Sequence, residues 1–275
     1  MNSTIRRFFQ GTPVLREFYG MARRQYHRRR IVRAAKHYFV ILADYRDALE
    51  IEDGKAVEIR TKDGLVLDIR RNYMDAAILA EIFVDHCYVQ GLSLPERPVV
   101  VDIGGYIGDF ALYAAKHLKA RKVVVCEPSP RNWVLLQKNV AQNHFQDQIV
   151  LVNKAVTNGE DVMMDVDACD GAQARVSTYG TKRAEPTLIP GVALATLAAE
   201  HGLNTIDLLK IDCEGGEYDI LQNVPESLLK NVRNIVFEFH EIEGFRQRLE
   251  AVYERLRQQG FSLVTRGCLV SASRA

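Results

Sequence analysis

Several features that would define other protein classes are absent from this sequence. It has only five cysteines and no Cys-x-x-Cys pair, which argues against a zinc site or a disulfide framework and fits a reducing cytosol. The apolar run from Tyr38 to Ala43 is far shorter than the ~20 residues of a membrane span. No internal repeat or low-complexity tract is present. We therefore expect a globular, cytoplasmic protein.

Length and composition allow one large folded unit with an appendage. The chain has 275 residues, of which 47% are hydrophobic and 26% charged, as in ordinary soluble domains. We divide it into residues 1–95, a basic helical arm followed by a hairpin and a helix that form a lid or platform, and residues 96–275, the main domain. The turn Thr61-Lys62-Asp63-Gly64 predicts the hairpin, and apolar spacing predicts a helix from Asp75 to Val89.

Acidic residues are scarce at the start of the chain. Residues 1–36 contain ten Lys or Arg and one acid, Glu17, although the whole chain has a net charge of only +1. Aromatic and aliphatic residues interrupt these arginines. Such a segment could contact an anionic membrane surface peripherally, bind nucleic acid, serve as a targeting peptide, or pack as a solvated arm on the main domain.

The sequence from Val99 to Gly108 contains the first of two dense motifs. A β-branched run typical of a buried parallel strand ends in Asp102 and leads into a glycine turn. Gly104, Gly105 and Gly108 leave room for a tight turn and for close approach of a ligand. We predict that Asp109 caps a helix that begins at Phe110.

A second strand, Lys122 to Cys126, ends in Glu127, which is suited to accept hydrogen bonds from ribose hydroxyls. A glycine turn followed by such an acid also occurs in NAD-dependent dehydrogenases. There, however, the turn binds a pyrophosphate, which the carboxylate of Asp102 would repel. The spacing therefore favours S-adenosylmethionine (AdoMet), a cationic donor without phosphate, while NAD binding is the alternative.

Strands and helices alternate after residue 99, which predicts a doubly wound α/β sheet. Ile149 to Val156 is predicted as the third strand, and Asp161 to Val166 as a peripheral fourth. The long loop that follows, up to about Gly191, is our candidate segment for binding an acceptor, because long loops in compact domains tend to be functional.

The second dense motif begins at Ile206 and ends at Glu217. Lys210 and Asp212 share one face of a strand, and Glu214 follows in its exit turn. A further strand brings Glu238 and His240 to the same sheet edge, where open α/β sheets bind ligands.

These groups suggest several roles. His240 could remove a proton from an acceptor hydroxyl, and Asp212 could orient that base, act as the base itself, or join Glu214 and Glu238 around a divalent cation. Alternatively, Lys210 and Glu238 form a buried ion pair, and His240 only bonds a neighbouring carbonyl. Since the spacing fixes no coordination geometry, we assign no metal ligand.

The motifs together resemble the FkbM-type methyltransferases. The similar segments are Asp102-Ile-Gly-Gly-Tyr-Ile-Gly108, Glu127-Pro-Ser-Pro, Asn153-Lys-Ala-Val, Leu209-Lys-Ile-Asp-Cys-Glu-Gly-Gly-Glu217 and Glu238-Phe-His240. They lie in the same order as in the family, between about residues 99 and 240. One residue departs from the family pattern: Tyr106 stands where an asparagine is usual.

The resemblance implies a Rossmann-like, mainly parallel seven-stranded sheet of class I methyltransferases, ordered 3-2-1-4-5-7-6 with an antiparallel last strand. It also implies sites for AdoMet. Asp102 and the glycines Gly104 and Gly108 would hold the methionine part, and Glu127 the ribose. The turn from Asn153 to Ala155 would lie at the adenine edge.

We therefore predict an AdoMet-dependent O-methyltransferase that acts on a hydroxyl of a sugar, glycan or natural product. The candidate catalytic residues are Asp212, His240, Glu214 and Lys210. The alternatives are an NAD-dependent oxidoreductase and a non-catalytic, methyltransferase-like scaffold at a membrane surface. The sequence does not identify the acceptor.

Overall fold

A computed structural model describes residues 39–40, 56–70, 73–164 and 186–274. The strands are β1 (Phe39–Val40), β2 (Ala56–Thr61), β3 (Val66–Arg70), β4 (Val99–Ile103), β5 (Lys122–Cys126), β6 (Ile149–Val152), β7 (Ala155–Thr157), β8 (Val162–Met164), β9 (Thr187–Ile189), β10 (Gly191–Ala193), β11 (Ile206–Ile211), β12 (Val232–Glu238), β13 (Ser262–Arg266) and β14 (Leu269–Ser273). The helices are α1 (Tyr73–Phe83), α2 (Asp109–Lys116), α3 (Pro130–Gln142), α4 (Leu194–Glu200), α5 (Glu217–Asn223), α6 (Glu226–Leu229) and α7 (Phe245–Gln258).

Seven strands form the central sheet in the order β13-β14-β12-β11-β4-β5-β6. The pairs from β6 to β12 are parallel, whereas β14 runs antiparallel to β12 and β13. In chain order, this is the 3-2-1-4-5-7-6 arrangement with an antiparallel last strand that the resemblance implies. The predicted Rossmann-like α/β fold is confirmed. Its parallel strands place their carboxyl ends at one edge, where ligands bind in such sheets.

The β-branched runs form the centre of the sheet as predicted. Every residue of β4 and β11 is buried, because helices cover both faces of a parallel sheet. The start of the helix after β4 differs from the prediction. Helix α2 begins at Asp109, and the residue before it is Gly108 at φ +87°. Asp109 Oδ1 accepts the N–H of the adjacent Phe110 at 2.7 Å, so its side chain does not reach further into the first turn.

The front section packs on one face of the sheet. Strands β2 and β3 form the predicted antiparallel hairpin, with Gly64 at φ +94° in the turn. Leu67 of the hairpin and Phe83 of α1 share a hydrophobic cluster with Val100 of β4 and Leu136 of α3. Asp75 of α1 and Arg70 of the hairpin also bond Tyr106 and Asn132, which follow β4 and β5, so the front section adjoins the edge at which these strands end. The domain boundary near residue 95 stays a prediction.

The region after β5 is more divided than the sequence suggested. The predicted third strand is split at residues 153–154: β6 completes the main sheet, and β7 pairs with β10 in a separate two-stranded sheet. The predicted peripheral strand is β8, which pairs with β9. Residues 165–185, most of the predicted acceptor loop, and the basic segment 1–36 lie outside the described residues. Within the described ranges, no helix has the length and apolar character needed to cross a membrane.

Candidate functional site

Asp102 and Lys210 form a buried ion pair at the centre of the sheet edge. They are neighbours in the register of β4 and β11, and Lys210 Nζ lies 2.9 Å from Asp102 Oδ1. Lys210 Nζ also donates to the carbonyl of Gly104 at 2.6 Å. Burial lowers the pKa of the ammonium, but the nearby carboxylates of Asp102 and Asp212 raise it by a larger amount. The net shift of the pKa is therefore upward. The pair therefore joins the glycine turn to the acidic run.

The alternative pairing of Lys210 with Glu238 is not observed. Lys210 faces Val236 on β12, and Glu238 lies two residues further along that strand. Glu238 instead accepts a contact from Cys268 Sγ at 3.0 Å, and burial raises the pKa of its carboxyl to about 7. The structure thus places Lys210 in an ion pair with Asp102, and its catalytic role stays a prediction.

The glycines of the turn are required by the packing of the protein itself. A Cβ on Gly104, which has φ +78°, would lie 1.8 Å from the carbonyl oxygen of Asp212. A Cβ on Gly105 would lie 2.1 Å from Val125, and one on Gly108 would lie 2.7 Å from Leu136. The sequence suggested that the missing side chains make room for a ligand. Their first role is to let β4, β5, β11 and α3 approach one another.

Glu127 lies directly beside this turn. Its Oε2 accepts the backbone N–H of Tyr106 at 2.8 Å, and its Oε1 accepts the N–H of Ser129 at 2.8 Å and the amide of Asn132 at 3.2 Å. Burial raises the pKa of Glu127 to about 7, although these donors lower it. We call Tyr106, Glu127, Ser129 and Asn132 the glycine-turn cluster.

This cluster retains hydrogen-bonding capacity for a ligand. A carboxylate has about four acceptor positions, and Glu127 uses three of them within the protein. Among the described residues, no donor or acceptor satisfies the buried hydroxyl of Ser129 or Asp102 Oδ2, whereas Asp102 Oδ1 is paired with Lys210. Orphaned buried polar atoms are unusual in folded proteins. Their presence fits a ligand that brings hydroxyl and ammonium groups.

The predicted adenine-edge turn lies next to Glu127. Asn153 Nδ2 donates to the carbonyl of Glu127 at 2.8 Å, and the N–H of Ala155 donates to the carbonyl of Pro190 at 2.9 Å. Ala155 itself is buried. The Asn153 contact attaches the turn to the end of β5. The predicted donor-binding residues therefore lie along one stretch of the sheet edge: Asp102, Gly104, Gly105, Gly108, Glu127, Asn153 and Ala155.

The other cluster brings three carboxylates to one imidazole. His240 Nδ1 lies 3.1 Å from Glu217 Oε1, while His240 Nε2 lies 3.5 Å from Glu214 Oε2 and 3.9 Å from Asp212 Oδ1. The backbone N–H of His240 also donates to Glu217 at 2.9 Å. We call Asp212, Glu214, Glu217 and His240 the acidic cluster.

The carboxylates determine the charge of this imidazole. Burial alone lowers the pKa of His240, but the hydrogen bond and charge of Glu217, with the charges of Glu214 and Asp212, raise it to about 9. The free protein therefore holds His240 mostly protonated at neutral pH. Within the described ranges, no group of three or more His, Cys, Asp and Glu side chains is arranged to hold a metal ion.

Sequence reasoning missed three residues that connect the front section to this edge. Tyr88, after α1, donates its hydroxyl to Asp212 Oδ2 at 2.7 Å, and its ring lies 5.2 Å from Lys210 Nζ. Arg70 and Asp75, at the end of β3 and the start of α1, contact Tyr106. The helix and hairpin around them could be predicted, but their contacts depend on how the front section docks.

Comparison with known proteins agrees with this geometry. Residues 102–263 match the Methyltransferase FkbM domain, which covers more than half of the chain. The chain therefore belongs to the FkbM methyltransferase family, and methyl transfer is the activity that this membership supports. The predicted family is confirmed, and the NAD-dependent oxidoreductase is not retained.

Two curated relatives cover similar shares of the chain. Methyltransferase sdnD of Sordaria araneosa is 28% identical over 68% of this chain and 82% of its own length. The 31-O-demethyl-FK506 methyltransferase FkbM of Streptomyces tacrolimicus is 30% identical over 67% of this chain and 80% of its own length. Among solved structures, methyltransferase FkbM of Methylobacillus flagellatus KT is 12% identical with a TM-score of 0.48, over 72% of this chain and 53% of that one.

Proposed function

We propose that this protein transfers a methyl group from AdoMet to a hydroxyl of a sugar, glycan or natural product. The observation that carries this proposal is the convergence of the two clusters at one sheet edge. The N–H of Asp212 donates to the carbonyl of Ile103 at 2.9 Å, so the acidic cluster begins where the glycine turn begins. The proposal therefore places a donor and an acceptor side by side, as in-line transfer requires.

The residues present fit AdoMet as donor. When bound, AdoMet supplies an electrophilic methyl group on a cationic sulfonium. Glu127 has an acceptor position left for a ribose hydroxyl, and Asp102 Oδ2 and Ser129 Oγ have no hydrogen-bond partner among the described residues. The acidic cluster adds three carboxylates against one imidazole, which favours a cationic ligand over a pyrophosphate.

The acidic cluster also fits a hydroxyl acceptor. Asp212 Oδ1 and His240 Nε2 are 3.9 Å apart, too far for a hydrogen bond with each other. A hydroxyl oxygen between them would be within reach of both, but its single proton can be donated to only one: to Asp212 while the protonated His240 donates from Nε2, or to Nε2 once His240 is neutral. Glu217 bonds the other ring nitrogen, Nδ1. This leaves Nε2 to accept the proton once His240 is neutral. In this arrangement His240 is the base, Asp212 orients the hydroxyl while His240 is still protonated, and Glu217 with Glu214 raises the pKa of His240.

The names of the relatives support an acceptor of this class. One relative is a 31-O-demethyl-FK506 methyltransferase, and its name specifies an oxygen of FK506 as the methylation position. Substrate recognition in the present chain is expected near residues 157–191 and the front section, of which 165–185 lie outside the described residues.

Calorimetry with AdoMet and S-adenosylhomocysteine tests the donor site. Wild-type protein should bind both, and Glu127→Ala should weaken binding strongly because the variant loses the buried carboxylate. A wild-type protein that binds neither ligand contradicts the proposal. Incubation of the protein with labelled AdoMet and fractionated cell extract then identifies the acceptor, and labelling on nitrogen instead of oxygen would contradict O-methylation.

The basic segment carries a separate proposal, peripheral contact with an anionic membrane. It rests on the charge and aromatic content of residues 1–36, whose structure lies outside the described part of the chain. Co-sedimentation with vesicles that contain phosphatidylserine should remove the full chain from solution, whereas neutral vesicles should not. Equal recovery from both kinds of vesicle contradicts this proposal.

A further inference from the structure

Five side chains around the glycine turn form a closed ring of hydrogen bonds. Tyr106 Oη donates to Asp75 Oδ1 at 2.5 Å, and Asp75 Oδ2 accepts Arg70 Nε at 3.1 Å. Arg70 Nη1 donates to Asn132 Oδ1 at 2.9 Å, and Asn132 Nδ2 donates to Glu127 Oε1 at 3.2 Å. The N–H of Tyr106 closes the ring at Glu127 Oε2. The ring connects the hairpin and α1 to the acid at the end of β5.

The ring fixes Glu127 from two sides. Arg70 has only donors, so its contact with Asn132 requires the amide oxygen to face Arg70. The amide nitrogen of Asn132 must then face Glu127 Oε1. On the other side, the hydroxyl of Tyr106 is anchored on Asp75, which is fully buried, and this anchor sets where the Tyr106 N–H points.

The backbone conformation of Tyr106 indicates that its contacts with Asp75 and Arg70 hold it in place. Tyr106 has φ +50°, in the left-handed region that bulky residues rarely adopt. Such a conformation persists only where surrounding contacts hold it. The contacts here are the bond to Asp75 and the guanidinium of Arg70, whose Cζ lies 4.8 Å from the centre of the tyrosine ring.

We propose that Tyr106, with Asp75 and Arg70, is a positioning residue through which the front section holds Glu127 in the geometry that binds the methyl donor. This inference rests on the proposed function. It gives the departure from the family's usual asparagine a role, because the tyrosine hydroxyl is what extends from the glycine turn to α1. The hairpin and α1 thus act on the donor site through Tyr106 and Asn132.

The variant Tyr106→Phe removes one hydroxyl from the ring and leaves the aromatic ring and the backbone N–H. Its matched control is Tyr113→Phe: Tyr113 is buried, whereas Tyr106 is half-buried, and the Tyr113 hydroxyl bonds His86 Nδ1 at 3.0 Å outside the ring. We expect the Kd for S-adenosylhomocysteine to rise about tenfold in Tyr106→Phe and to stay at the wild-type value in Tyr113→Phe. Both variants should lose similar thermal stability.

A second variant makes the test independent of whether Tyr106→Phe folds. Asp75→Asn should also raise the Kd, and the double variant should bind about as weakly as the weaker single variant, because both changes open the same ring. If wild type binds S-adenosylhomocysteine and Tyr106→Phe binds within twofold of it, the positioning role is wrong and the proposed function stands. Equal weakening in Tyr113→Phe would likewise overturn it. Failure of wild type to bind overturns both proposals.

Discussion

The two clusters at the sheet edge surround their buried titratable group with different partners. In the glycine-turn cluster, one carboxylate, Glu127, is surrounded by neutral N–H donors and its pKa is raised to about 7. In the acidic cluster, three carboxylates face one imidazole, and the pKa of His240 is raised to about 9. In the first cluster, hydrogen bonds fix the orientation of Glu127. In the second, the carboxylates keep His240 protonated and make the electrostatic potential negative. The difference suits a site that binds a donor on one side and activates an acceptor on the other.

The largest expected effect comes from breaking the junction between the clusters. In Gly104→Ala, the new Cβ would lie 1.8 Å from the Asp212 carbonyl on a backbone with φ +78°, so β4 and β11 must separate. We expect a loss of more than about 4 kcal/mol in the free energy of unfolding, measured by urea titration. The control Gly202→Ala also has a positive φ but nothing within 4 Å of the Cβ, and should lose only about 1–2 kcal/mol. Similar losses in the two variants would show that the junction is not tightly packed.

A smaller loss of stability is expected from removing the central cation. Lys210→Met leaves Asp102 buried and unpaired, which should cost about 3–5 kcal/mol in urea titration. The second substitution Asp102→Asn should restore part of this loss, because it removes the remaining charge. Arg60→Met, which breaks the exposed pair with Glu58, serves as the control and should change stability little. A double variant as unstable as Lys210→Met alone would show that charge is not the cause.

These positions also show what the sequence could and could not predict. The β-branched runs, the glycine spacing and the strand-end acids predicted an α/β sheet and brought the candidate donor residues to one edge of it, since each signal is local; the strand order came from the family resemblance. The partner of Lys210 was not predictable, because β11 lies between two strands and the sequence does not tell which neighbour the side chain contacts. Asp75 and Tyr88 were missed for a related reason. Their contacts cross from the front section to the sheet and depend on tertiary packing.

The smallest expected effects are two different pH dependences, one for each cluster. Glu127 accepts hydrogen bonds best when ionised, so affinity for S-adenosylhomocysteine should rise as pH increases towards about 7 and then level off. Only neutral His240 accepts a proton, so kcat should continue to rise as pH increases towards about 9. Each change should be at most about tenfold per pH unit, and calorimetry and steady-state rates over the same pH range measure the two profiles.

Two variants assign these profiles to their residues. Glu127→Gln should flatten the affinity profile and leave the rise in kcat, because the uncharged amide does not titrate. His240→Gln should remove the rise in kcat and leave the affinity profile, because the donor cluster is intact. A kcat that is constant from about pH 7 upward in wild type would contradict His240 as the base. Since Asp212 is the other proton acceptor within reach of the same hydroxyl position, that result would transfer the role to Asp212 while leaving Glu127 in the donor site.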